Sequence, residues 1–104
     1  MSTNDRSWER IRKSSLRKEI YERDNYMCVY CGVRVNKTTA TLDHIVPKSL
    51  CNDHSPSNLV TACRACNSRK GTKPLYKFLS ILVLELDQPT YVIIGRVNQA
   101  IAGA

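Results

Sequence analysis

The sequence predicts a small α+β domain of two short strands, flanking helices and a pair of metal-held cysteine knuckles. Three observations lead there. The chain has 104 residues, which fits one domain or one compact unit with a short appendage. It carries five cysteines, four of them in two C-x-x-C pairs, Cys28/Cys31 and Cys63/Cys66. Between the pairs lies a β-branched stretch, and on either side the apolar spacing is helical. A domain of this size buries only roughly 60–65% of its unfolded surface, so a metal-stapled core suits its thin margin of stability.

Taken in order, residues 1–14 form a basic segment that either extends the first helix or stands as an arm; Trp8 and Ile11 predict some packing there. Ser15–Asp24 favours a helix, with Ser15 as N-cap and Leu16 and Ile20 on one face at i, i+4. Residues 38–46 (Thr-Thr-Ala-Thr-Leu-Asp-His-Ile-Val) predict a strand ended by Pro47. Residues 48–57 mix Lys, Ser, Asn, Asp and Pro, which marks a loop, and Leu59–Thr61 predicts a second short strand. A helix of a turn or two is expected from about Cys66–Asn67 until Gly71 and Pro74. Leu75–Leu86 predicts an apolar helix, Pro89 breaks it, and Tyr91–Ala102 predicts a helix or a strand plus helix. The resulting division is 1–14, a core over 15–74, and an apolar extension over 75–104 that packs on the core or forms a homodimer contact.

Composition removes several classes. Hydrophobic content of 42% is too high for a disordered polyelectrolyte. No run approaches 18 uninterrupted apolar residues, so no membrane span is expected. The first 27 residues are charged throughout, without the apolar core of a secretory signal, which predicts a protein that is not secreted but works in the cytoplasm of a bacterium or of a phage-infected cell. In that compartment the cysteines are expected to hold metal rather than disulfides. The net charge is +7, and it is concentrated: residues 28–74 carry +5, residues 1–27 carry +2, and residues 75–104 carry none. The positive field therefore coincides with all the cysteines and both histidines. Such a field attracts a polyanion, with nucleic acid the leading candidate.

In a C-x-x-C pair both thiolates can face one ion about 2.3 Å away, and two pairs complete a tetrahedron. Cys28, Cys31, Cys63 and Cys66 therefore predict a structural Zn²⁺ site, with iron in a four-sulfur site as the rival. Gly32 suits the tight turn after the first pair. All four positions would be filled by protein, so this ion has no place for a substrate. Cys51 reads as a plain loop residue.

The remaining polar signals are Leu42-Asp43-His44-Ile45-Val46-Pro47, then Asn58-Leu59-Val60, then Cys63-Arg64-Ala65-Cys66-Asn67-Ser68-Arg69-Lys70-Gly71. Adjacent strand residues point to opposite faces, so Asp43 and His44 cannot both enter one core; one can serve a metal while the other faces a substrate. Together with the helix phrase Tyr21-Glu22-Arg23-Asp24-Asn25-Tyr26, this ordered set resembles the HNH endonucleases of the ββα-metal, or His-Me finger, superfamily. The resemblance covers residues 16–71.

It implies a ββα-metal core and the following roles. His44 matches the general base that takes a proton from the attacking water. Asp43 matches the first metal ligand. Asn58 matches the middle Asn, whose hydrogen bonds pin the loop between the strands. Asn67 stands where many members carry a second metal-binding His, as it does in some members including the HNH domains of CRISPR effectors; the chain is thus an H-N-N version. Asp43 and Asn67 offer oxygen alone, which predicts Mg²⁺ or Mn²⁺ at the active site. The implied reaction is hydrolysis of a DNA phosphodiester to 5′-phosphate and 3′-hydroxyl ends, falling off below about pH 6.5 as the imidazole protonates. Lys48, Arg64, Arg69, Lys70 and Lys73 are the expected nucleic-acid contacts, supplemented by Arg6, Arg10, Arg12 and Lys13. His54 is the second candidate base, though a polar-loop histidine is its simpler reading. Two alternatives use the same features: a zinc-stabilised nucleic-acid-binding module without catalysis, and a dithiol oxidoreductase working through the C-x-x-C pairs.

Overall fold

Two five-residue strands organise the chain. The computed structural model describes the backbone from Arg6 to Gly103 and the side chains from Ser14 to Gly103. The side chains of Arg6, Trp8, Arg10, Ile11, Arg12 and Lys13 lie outside the described residues. In chain order the elements are α1 (Arg6–Arg23), β1 (Ala40–His44), β2 (Leu59–Cys63), α2 (Arg64–Lys70), α3 (Leu75–Leu86) and α4 (Thr90–Ala102). The strands form an antiparallel hairpin in which Leu42 faces Thr61, Asp43 faces Val60 and His44 faces Leu59. With α2 following directly, they make the ββα unit.

Each boundary has a local cause. The helix α1 continues the predicted 15–24 segment back to Arg6, so residues 6–14 are helical in backbone. β1 is shorter than the predicted 38–46, although Ile45 N still donates to Asn58 O at 2.9 Å. α2 starts earlier than expected, at Arg64, because Cys63 acts as its N-cap: Sγ accepts the Cys66 amide at 3.4 Å. α3 matches the predicted span, bounded by Pro74 and ended before Pro89. The last segment is all helix, with no strand component.

Four of the five residues of β2 are buried, whereas in β1 only Asp43 is. α3 contributes Phe78, Leu79 and Leu82, spaced at i, i+1 and i+4 on its inner face, and α4 contributes Ile93, Val97 and Ala100 at i, i+4 and i+7. They join Cys28, Val29, Tyr30, Val60 and Ala62 in a single cluster. Phe78 packs edge-on to Tyr30, with ring centroids 5.2 Å apart. Burying each large side chain contributes about 1.5–3 kcal/mol, which holds the apolar extension against the knuckle and hairpin.

Polar ties complete the frame. Buried Asp24 accepts from Arg23 Nε at 2.7 Å and from the Thr61 amide at 2.8 Å, while Arg23 also donates to the carbonyls of Pro56 and Leu59. This hub fixes the end of α1 to β2. From the other side, Arg96 on α4 donates to the carbonyls of Val29 and Tyr30 inside the first knuckle. Among the described residues no helix is long and apolar enough to cross a membrane.

Candidate active site

The first knuckle follows α1, and the second joins the end of β2 to the start of α2. Gly32, at φ +83°, reverses the chain after Cys31, and its amide donates to Cys28 O at 2.8 Å. The four sulfurs come within 4.8 Å of one another. Cys31 and Cys63 are 3.8 Å apart at sulfur, and tetrahedral bonds of 2.3 Å place sulfurs about 3.8 Å apart. The donor set and spacing therefore fit a metal ion such as zinc. Their proton affinities diverge: the hydrogen bond with Cys66 pulls the Cys28 thiol down to about 5, whereas burial pushes Cys31 up to about 11, and the bond with Cys28 pushes Cys66 higher. A cation among these sulfurs relieves that competition. The exposed Cys51 takes no part.

The hairpin carries the second polar centre. Asp43 is buried, and its Oδ2 accepts from the Tyr30 hydroxyl and lies 3.3 Å from Lys70 Nζ. Burial raises its carboxyl above the usual range although Tyr30 and Lys70 both act to lower it. Burial, and then the charge of Asp43, likewise keep the Tyr30 hydroxyl protonated. His44, at the strand end, is partly exposed, and its pKa is lowered by burial first and then by His54, Lys48 and Lys70. Asn58 is buried and makes three bonds: Oδ1 accepts Val46 N at 2.9 Å, and Nδ2 donates to Val46 O at 3.2 Å and Asp53 O at 2.9 Å. Asn67 Nδ2 donates to Thr41 Oγ1 at 2.9 Å, and its Oδ1 accepts no hydrogen bond among the described residues. Thr41 and Asp43, two residues apart on β1, alternate onto the same face, so the bond to Thr41 brings Asn67 to the face that Asp43 shares. Carboxylate and amide oxygens of this kind suit a hard divalent ion.

The five expected nucleic-acid residues are not equivalent. Lys70 is a correction: its side chain is fully buried, and Nζ donates to His44 O at 2.7 Å, so it supports the strand end from inside instead of meeting a phosphate. Its place was readable, because it stands four residues after buried Cys66 on the same face of α2. Arg69 pairs with Glu85 on α3. Arg64 donates to Thr38 O at 2.6 Å, and Lys73 donates to Arg69 O at 2.9 Å. Lys48 is exposed near His44. Tyr30, the second spacer of the first C-x-x-C, was not singled out by sequence reasoning, since nothing local says that its hydroxyl reaches Asp43. His54, read as an ordinary loop residue, stands with Nδ1 2.9 Å from His44 Nε2.

The sequence model described as HNH endonuclease matches residues 28–80. The chain is 36% identical over 59 residues to the CRISPR-associated endonuclease Cas9 of Corynebacterium diphtheriae, covering 56% of this chain and 5% of that protein. It is 35% identical over 60 residues to the protein of the same name from Actinomyces naeslundii, covering 57% of this chain and 5% of that one. The crystal structure of the type II-C Cas9 enzyme from Actinomyces naeslundii superposes with a TM-score of 0.56 at 25% identity, over 85% of this chain and 11% of that chain. The chain thus spans about 5% of the length of the curated relatives it matches.

Proposed function

Because the chain belongs to the HNH endonuclease family, we propose that it hydrolyses DNA phosphodiester bonds with His44 as general base. The observation that carries this reading is His44 itself: a partly exposed imidazole at a strand end, beside buried Asp43, with a depressed pKa that keeps it neutral. A neutral imidazole takes the proton of a water as it attacks phosphorus in line. Asn58 holds the loop that follows His44, and Lys70, bonded to the His44 carbonyl, holds the backbone that carries the ring. Asp43 and Asn67 would hold Mg²⁺ or Mn²⁺, which supplies charge neutralisation at the phosphate and the departing oxygen. The four cysteines would hold Zn²⁺ with no catalytic part. Lys48, Arg64 and Lys73 would steer the DNA backbone from the surface, and Arg69 would join them on leaving Glu85. One such site cuts one strand; a second copy, meeting the exposed Tyr76, Leu84 and Tyr91, would supply the other cut.

One observation favours the alternative, a zinc-held nucleic-acid-binding module without catalysis. The Asp43 carboxylate is occupied by Tyr30 and Lys70, as a purely structural aspartate would be. Supercoiled plasmid separates the two. Purified protein with its zinc retained should produce nicked circles on addition of Mg²⁺ or Mn²⁺ and none without them. His44→Ala should lose about 10²–10⁴-fold in rate with DNA binding, zinc content and helicity unchanged. DNA bound but uncut by the unaltered chain would leave the binding module as the function.

A further inference from the structure

His44 does not act from an isolated side chain. The loop between the strands returns His54 to it, with Nε2 of His44 2.9 Å from Nδ1 of His54 and the rings at 80°, centroids 5.1 Å apart. The return is built into the loop. One buried amide, that of Asn58, bonds both to Val46, two residues after His44, and to the carbonyl of Asp53, the residue before His54. Asp53 Oδ1 then accepts the Ser55 amide at 2.9 Å, so the backbone on both sides of His54 is held.

A nitrogen–nitrogen contact of this length needs one proton between the rings. Two neutral arrangements supply it. If His44 Nε2–H donates to His54 Nδ1, both rings carry their protons on Nε2, the tautomer a neutral histidine side chain prefers. If His54 Nδ1–H donates instead, both rings must take the less favourable Nδ1–H form. The first arrangement is favoured at both ends of the bond. The groups facing the pair are Lys48, Lys70 and Asp53, and the two lysines disfavour placing a further positive charge on either ring. Nδ1 of His44 is then the nitrogen with a free lone pair, and it has no hydrogen-bond partner among the described residues.

We propose that His54 is a positioning residue, accepting a hydrogen bond from His44 Nε2–H and thereby fixing the tautomer and the ring direction that present Nδ1 to the attacking water. The proposal rests on the nuclease reading above and names the device that orients its base. For a metal-binding histidine, the hydrogen-bond partner that fixes its tautomer and orientation is worth about 10–100-fold in affinity or activity, and an effect of the same size is expected where the imidazole acts as base.

Three variants and two readouts test it. Asparagine can place Oδ1 close to where the Nδ1 acceptor stood, whereas alanine places nothing there. His54→Ala should lower kcat about 10–100-fold with KM for plasmid little changed, and His54→Asn should restore most of that loss; zinc content and thermal midpoint should match the unaltered chain in both. Independently of activity, ¹⁵N spectra of the imidazoles should show His44 as the Nε2–H tautomer in the unaltered chain and His54→Asn, and as a tautomer mixture in His54→Ala. A cleaving chain whose His54→Ala variant keeps both its rate and its His44 tautomer removes His54 from the site while leaving the nuclease reading intact. A His54→Asn variant as slow as His54→Ala also overturns the acceptor role. If the unaltered chain cuts nothing while His44→Ala binds DNA as it does, the nuclease reading has failed and the positioning role fails with it, and the spectra then report only whether the pair exists.

Discussion

In the four-sulfur cluster every donor comes from the chain and faces inward, whereas around His44 the donors are split between the interior and the solvent. Cys28 and Cys66 are buried and the sulfurs converge from two knuckles distant in sequence. On the hairpin, Asp43 is held by Tyr30 and Lys70 below, while the His44 ring meets His54 of the polar loop above. The difference separates two tasks. A closed set of ligands can give its whole binding energy to shape, whereas a reacting centre must leave atoms uncommitted for water and phosphate. The two are nevertheless joined mechanically: Cys63 ends β2 and caps α2, and α2 then delivers Asn67 to Thr41 and Lys70 to His44.

The strongest way to break that contrast is to open the cluster. Stripping the metal, or Cys66→Ser, should cost most of the fold, since metal binding supplies of order 10–16 kcal/mol to isolated zinc-finger peptides. Elemental analysis should find one zinc per chain, and far-UV circular dichroism should show helicity lost with the metal. A chain that stays folded and active after stripping would make the hairpin self-sufficient.

Next in size is the support beneath Asp43. Lys70→Met removes one partner of a buried pair and should cost about 3–5 kcal/mol in urea unfolding, partly recovered when Asp43→Asn is added. The pH dependence has a definite sign. Burial already raises the Asp43 carboxyl, so the native state holds that proton more tightly than the unfolded chain does, and stability falls as pH climbs from the ordinary carboxylate range through the raised value. Removing Lys70 should carry that fall to higher pH, and Asp43→Asn should abolish it.

A third measurement addresses the open side. Because His44 is lowered from 6.5, the neutral base survives further into acid than an ordinary histidine. The acid limb of the rate profile should therefore lie below pH 6.5, not at it as the sequence alone predicts. An acid limb above 6.5 would mean that His44 is charged in the resting protein.

What could be read in advance follows how local each cause is. The cysteine pairs fix their own geometry through a two-residue spacer, and α3 is bracketed by Pro74 and Pro89 around an apolar face, so both were legible. The edges of β1 and α2 were less so, because Cys63 caps α2 with a sulfur that the cluster also needs. Lys70 was misplaced by treating lysine as a surface residue; its burial follows from sharing a face with Cys66. Tyr30 meeting Asp43 and His54 meeting His44 depend on contacts made 13 and 10 residues away, through a core and a loop whose closure no local pattern encodes.

The smallest expected effect is also the one that separates electrostatic tuning from DNA contact. Lys48 is exposed, and its charge is one of those that lower His44. Lys48→Gln should move the acid limb slightly back towards 6.5, with the fold untouched. If Lys48 also meets a phosphate, the same change should weaken binding evenly across sequences and reduce the salt dependence of log Kd by about one unit of slope. A moved limb with an unchanged slope would make Lys48 a tuner of the base alone. A changed slope with an unmoved limb would make it a DNA contact alone. The sulfur cluster should register neither, because its four ligands, Cys28, Cys31, Cys63 and Cys66, all lie outside the loop that carries Lys48.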